Sequence, residues 1–102
     1  MIYRVIVSDE AHHMLSEHMR FIAEKNEDAA RRLTGEIIKA ITSLDHMPQR
    51  YPFFNEPYIP QNKYRKMFVT GHYLVLYQIR EDVVLVDWVM DCRQDFQHLM
   101  TP

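Results

Sequence analysis

Glycine and cysteine are scarce in this 102-residue chain, with two of the first and one of the second. A lone cysteine, Cys92, excludes a disulfide framework and makes a reducing cytoplasm the natural setting. It reads as a small apolar residue rather than a nucleophile. So few glycines, beside five prolines, exclude collagen-like and low-complexity chains. Long apolar runs are missing as well. None approaches the roughly 20 residues that cross a bilayer, and no N-terminal signal pattern is present, so no membrane partner is expected. The six histidines lack the HExxH arrangement, and His12, His13 and His18 diverge around a helix. Neither a metal nor another cofactor is expected.

What is present suffices for a core: 47% of the residues are hydrophobic, and the length fits one domain over 1–102. The net charge is −2, but it is unevenly placed. Residues 1–47 carry six Lys/Arg against eight Asp/Glu, residues 48–80 five against one, and residues 81–102 one against five. A basic middle between acidic flanks suggests a local patch for an anion or an acidic partner. A solvated strand edge guarded by lysine and arginine is the plainer alternative.

Tyr3 to Val7 is aromatic and β-branched and reads as a strand. Ser8 offers an N-cap, with Asp9 and Glu10 in the first turn, where the helix dipole favours acids. The first helix is expected from Asp9 to about Lys25, with Ala11, Met14, Leu15, His18 and Ile22 on its buried side. Asn26 breaks it. The second, from about Glu27 to His46, has its apolar stripe at Ala30, Leu33, Ile37, Ile41 and Leu44. So short a joint demands an antiparallel hairpin. Gly35 inside the second helix costs about 1 kcal/mol relative to alanine, which a close approach to the first helix would explain.

Four prolines punctuate residues 47–62, and the aromatic residues between them predict a loop packed over an end of the sheet. A β meander follows: Tyr64–Val69, Tyr73–Ile79 and Val83–Met90. In its middle strand Tyr73, Val75, Tyr77 and Ile79 share one face, and Leu74, Leu76 and Gln78 the other. Both faces are apolar and therefore at least partly covered. Asp87, between Val86 and Trp88, needs a partner. Met14, Met19 and Met67 read as core, and Met90 and Met100 as candidates for a partner groove. Arg93-Gln94-Asp95-Phe96 leads into a short helix or an extended tail. The order β-α-α-β-β-β implies an α+β fold, a mainly antiparallel four-stranded sheet with an N-terminal helical hairpin on one face. The other face and its rim are left to carry a positive site.

The chain resembles the RelE/ParE superfamily, the toxins of bacterial type II toxin–antitoxin pairs. The resemblance rests on Tyr3-x-Val5-x-Val7-Ser8-x-x-Ala11, on Leu44-x-x-x-Pro48-x-Arg50, on Arg65 followed by Tyr73-Leu74-Val75-Leu76-Tyr77-Gln78-Ile79, and on Arg93-x-Asp95. It implies a cytoplasmic, growth-arresting toxin of the plasmid-stabilisation type, neutralised by a small cognate antitoxin. ParE-like members inhibit DNA gyrase by binding alone, whereas RelE-like members cut messenger RNA on the ribosome without a metal. In the RelE-like case Arg65, Arg93 and His72 or His98 would supply the catalysis. In either case Arg50, Lys63, Arg65, Lys66 and Arg93 are the residues for phosphate or target binding. A homodimer, or a heterotetramer with the antitoxin, is the implied assembly.

Two departures favour the ParE-like branch. Leu74 stands where RelE-like sequences usually place an arginine, and Asp95 would repel a phosphate near Arg93. The mild acidity agrees, since ribosomal RNA favours broad positive charge. A module that kept the fold and lost the activity is the third alternative. Structural roles are also available to the cations. Arg65 and Lys66 alternate faces, so one at most serves a given site; Arg65 has Asp87 or Asp91 as ion-pair candidates, and Arg50 could brace the proline-rich loop.

Overall fold

A computed structural model describes residues 1–92. Its elements are β1 (Arg4–Val7), α1 (Asp9–Lys25), α2 (Glu27–Thr42), β2 (Arg65–Val69), β3 (Tyr73–Arg80) and β4 (Val83–Asp91). The chain turns from strand to helix at Ser8, whose Oγ accepts from the Ala11 N–H at 3.1 Å. Asn26 serves both helices. Its N–H donates to the Ile22 carbonyl, and its Oδ1 accepts from the Ala29 N–H at 3.0 Å, so no loop separates them. α2 stops at Thr42, short of the expected His46, because Ser43–Asp45 tighten into a 3-10 turn. A second 3-10 turn, Pro48–Arg50, interrupts the expected loop.

The sheet order is β1-β4-β3-β2. β1 runs parallel to β4, and the meander pairs are antiparallel. The helical hairpin covers one face, where Ala11, Met19, Ile37, Ile41 and Leu44 meet Val75, Tyr77, Val84 and Val86. Both alternating sets of β3 are buried, since Leu74 and Leu76 join Phe54 and Met90 in a second cluster on the far face. Leu74 and Val75 are 0% exposed, and each such side chain contributes roughly 1.5–3 kcal/mol of burial.

Asp87 is accommodated by a β-bulge. Leu76 pairs with Trp88 and Tyr77 with Val86, leaving Asp87 as the extra residue. Its carboxylate accepts from the Gln78 amide at 2.6 Å. The bulge also resets the alternation. Val84 and Val86 face the helices before it and Val89 after it, whereas strict alternation would have turned Val89 away. Met90 is buried in the far-face cluster, which removes it as a groove candidate. Met100 lies outside the described residues.

The proline-rich segment differs from its expected position over a sheet end. It roofs part of the far face with Phe54 and Ile59 and runs along β2. The Phe54 N–H donates to the Tyr64 carbonyl at 2.8 Å, and the Lys66 N–H to the Pro52 carbonyl at 2.9 Å. The start of this edge is thereby covered. The far face, expected to be free for a positive site, is thus partly filled with apolar side chains.

Gly35 and Thr70 each carry a cost that a single substitution removes. Gly35 is exposed, and a Cβ built there meets nothing within 4 Å, so close helix approach does not explain it. Gly35→Ala is expected to raise stability by about 0.5–1 kcal/mol in chemical denaturation. Thr70 opens the β2–β3 turn at φ 55°, followed by Gly71 at φ 79°. A β-branched residue is strained there, whereas Asn before Gly suits this backbone. Thr70→Asn is expected to raise the denaturant midpoint by a similar increment, with an unchanged slope.

Candidate functional site

Residues 50–66 of the basic segment fold along the β2 edge, and each of the four cations there rests on an aromatic ring. The Arg50 guanidinium lies 4.9 Å from the Tyr51 ring centroid and Arg65 4.0 Å from Phe53. The Lys63 ammonium lies 5.3 Å from Tyr64 and Lys66 5.9 Å from Phe54. Among the described residues none of the four pairs with a carboxylate; the Arg and Lys ion pairs are Arg20–Glu17 and Arg31–Asp28, both on the hairpin surface.

Arg65 does not engage Asp87 or Asp91. Its Nη1 donates to the carbonyls of Tyr51 at 2.7 Å and Gln49 at 3.2 Å. Register places Arg65 opposite Tyr77 and Lys66 opposite Leu76, so the two point to different faces as alternation requires. Arg50 braces the chain after α2. It donates to the carbonyls of His46, Met47 at 3.1 Å and Ser43 at 3.3 Å, and to Ser43 Oγ at 3.0 Å. The Ser43 carbonyl belongs to the 3-10 turn that closes the helical segment, where a cation also suits the dipole, and those of His46 and Met47 belong to the connection that follows it.

His72 is exposed in the β2–β3 turn. Arg65 and Val69 bound β2, so about 14 Å of strand separates Arg65 from that turn. The structure does not bring His72 to the cations. Arg93 and His98 lie outside the described residues.

Sequence reasoning missed three features. One is a polar cluster between α1 and the sheet, where His18 Nε2 lies 2.7 Å from the Tyr73 hydroxyl and 3.6 Å from the buried Asp91 carboxylate. Another is a cleft of about 470 Å³ where Asp9, Glu10 and Asp87 meet Lys63, Tyr64 and Trp88. Burial, followed by the Asp87 charge, raises the Tyr64 phenol above its ordinary pKa. The third is a groove of about 620 Å³ between edge strand β1 and the hairpin, lined by Tyr3, Val7, Leu15, Thr34 and Ile38. Its signal was Ile38, an apolar residue outside the α2 stripe and 51% exposed.

A family model described as the ParE toxin of the type II toxin–antitoxin system parDE matches residues 5–96. The chain belongs to the ParE toxin family. This ParE-family chain is also similar in fold to a solved structure titled "Chromosomal ParDE TA system from P. aeruginosa". The TM-score is 0.72 at 8% sequence identity, over 88% of this chain and 96% of that one. A comparison with curated protein sequences gives no match. For this ParE-family toxin, no described helix is long and apolar enough to cross a membrane.

Proposed function

We propose that this chain arrests bacterial growth by binding DNA gyrase, with no chemistry of its own, and that its antitoxin neutralises it by filling the groove between β1 and the hairpin. The observation that carries the binding reading is the setting of Leu74. It is 0% exposed beneath the loop that carries Phe54, so the place where a RelE-like enzyme usually holds an arginine is packed with hydrocarbon. Cleavage of a message needs an acid–base group beside the charges that stabilise the transition state. Among the described residues, His72 stands a strand's length from Arg65. Lys63, Lys66, Arg65 and Arg50 are then target-binding rather than catalytic residues.

The groove suits the antitoxin. It is largely apolar, and one wall is the edge strand β1, which has a single strand neighbour. An amphipathic helix can lay its apolar stripe there, and an extended segment can pair with the open edge. Induction of the chain without an antitoxin, followed by supercoiling and message-cleavage assays, tests the reading. Growth arrest with inhibited supercoiling and intact messages is the expected result. Codon-linked cleavage that Arg65→Ala abolishes would replace it with ribosome-dependent endoribonuclease activity. Normal growth with well-folded protein would leave only a non-toxic interaction module.

A further inference from the structure

We propose that the β2 edge and the segment folded along it bind single-stranded DNA, with cations on the phosphates and exposed rings against the bases. The inference rests on the reading above, in which the target enzyme holds DNA, and assigns the DNA itself as a contact of the toxin. Four cations within residues 50–66 lie 4.0–5.9 Å from an aromatic ring centroid. A ring fixes a cation without cancelling its charge, as a carboxylate would. Glu56 is the single acid between residues 48 and 80, and Asp9, Glu10 and Asp87 gather only at the Lys63 end, so the positive field around Arg65 and Lys66 is left for an outside anion.

Arg65 is the most organised of the four. The Phe53 ring holds one face of its guanidinium, and two carbonyls hold Nη1, while Nε and Nη2 have no acceptor among the described residues. A fork held this way presents its open edge to a phosphate without further loss of side-chain freedom. Pairing of Phe53 with Arg65 puts that ring on the helix-side flank of the strand. Lys66 and Phe68, opposite Leu76 and Leu74, lie on the other flank. A backbone laid along the edge is therefore met from both sides.

The rings argue for a single strand. Phe53 is 38% exposed, Tyr58 41% and Phe68 54%, and a ring at the surface stacks on a base only where the base is unpaired. The acidic cleft at Asp9, Glu10 and Asp87 argues for the path. Lys63 stands at its mouth, and the carboxylates beyond it repel phosphate from the sheet face and confine the strand to the edge. A net charge of −2 is compatible with this, because the contact is local and limited to about four phosphates.

The test is fluorescence anisotropy of an oligothymidylate of about 20 nucleotides with the whole chain. Four contacts at a slope near −0.7 each predict an affinity loss of about fifty-fold between about 50 and 200 mM salt. Lys63→Glu with Lys66→Glu is expected to weaken binding at least about tenfold and to flatten the salt dependence. Phe68→Ala is expected to weaken it about fivefold or more with the salt slope retained. Arg31→Glu with Arg32→Glu makes the same change in net charge on the exposed side of α2, and should leave binding intact. Absence of binding at the lower salt overturns the proposal, as does an equal loss in the α2 variant. Tighter binding of the matched duplex, of oligouridylate or of polyglutamate also overturns it. Growth arrest by a chain that does not bind the oligonucleotide defeats this inference and leaves the toxin reading standing. Binding without growth arrest does the reverse.

Discussion

Tyr77→Ala is expected to destabilise the protein by about 3–5 kcal/mol, the largest single effect on folding predicted from this structure. Tyr77 is 0% exposed at the centre of β3, and its ring is enclosed by the hairpin-side core. Its hydroxyl donates to the Pro48 carbonyl at 2.6 Å, tying the sheet to the 3-10 turn that follows α2. Alanine removes both the ring and the tie. Tyr77→Phe keeps the ring but strands a carbonyl, for a cost of about 1–2 kcal/mol.

The same residue sets an alkaline limit. Burial pushes the Tyr77 phenol up to about 12 from its ordinary value of 10.0, with the Arg65 and Arg50 charges pulling the other way. The folded chain thus keeps a proton that the unfolded chain releases. The stabilisation is complete below about pH 10 and disappears as the pH rises towards about 12, at roughly 1.4 kcal/mol per pH unit. Denaturant unfolding at about pH 9, 10 and 11 should show this decline in the parent and a weaker one in Tyr77→Phe. Parallel declines in the two proteins would contradict the assignment.

Ile38→Arg is expected to separate poisoning from rescue. Ile38 is 51% exposed on the groove wall, so the substitution leaves the core intact. In the proposed complex a guanidinium at this position faces the apolar stripe of the antitoxin helix and is desolvated, with Asp45 the one carboxylate lining the groove. The penalty, about 2–4 kcal/mol, would weaken antitoxin binding by roughly 30- to 1000-fold. Cells carrying this variant should stop growing even when the antitoxin is co-expressed, and affinity capture should recover much less complex. Full rescue by the antitoxin would remove the groove from the interface.

Much of the architecture was legible because it is local. Ser8 and Asn26 cap helices through their own neighbours, and the α2 stripe follows a period of 3.6 whatever it packs against. The alternation of β3 survives for the same reason, with Tyr73, Val75 and Tyr77 on the helix face. The end of α2 was less legible, because the 3-10 turn after it is held by Arg50 from further along the chain. The bulge at Asp87 had no local signal. It is a mismatch of register between β3 and β4, and register exists only once both strands are paired.

The candidate site divides along the same line. That residues 48–80 are basic, and that Arg65 and Lys66 point to opposite faces, follows from composition and strand alternation alone. So does the order of elements, and with it the α+β fold. Only the folded chain decided that Arg65 and Arg50 rest on carbonyls and rings rather than on carboxylates, that Leu74 is roofed, and that His72 stands apart from the cations. Partners far apart in sequence meet only through tertiary packing. The sequence therefore determined which charges exist, and the fold determined, among the described residues, which of them pair with carboxylates and which rest on rings and carbonyls.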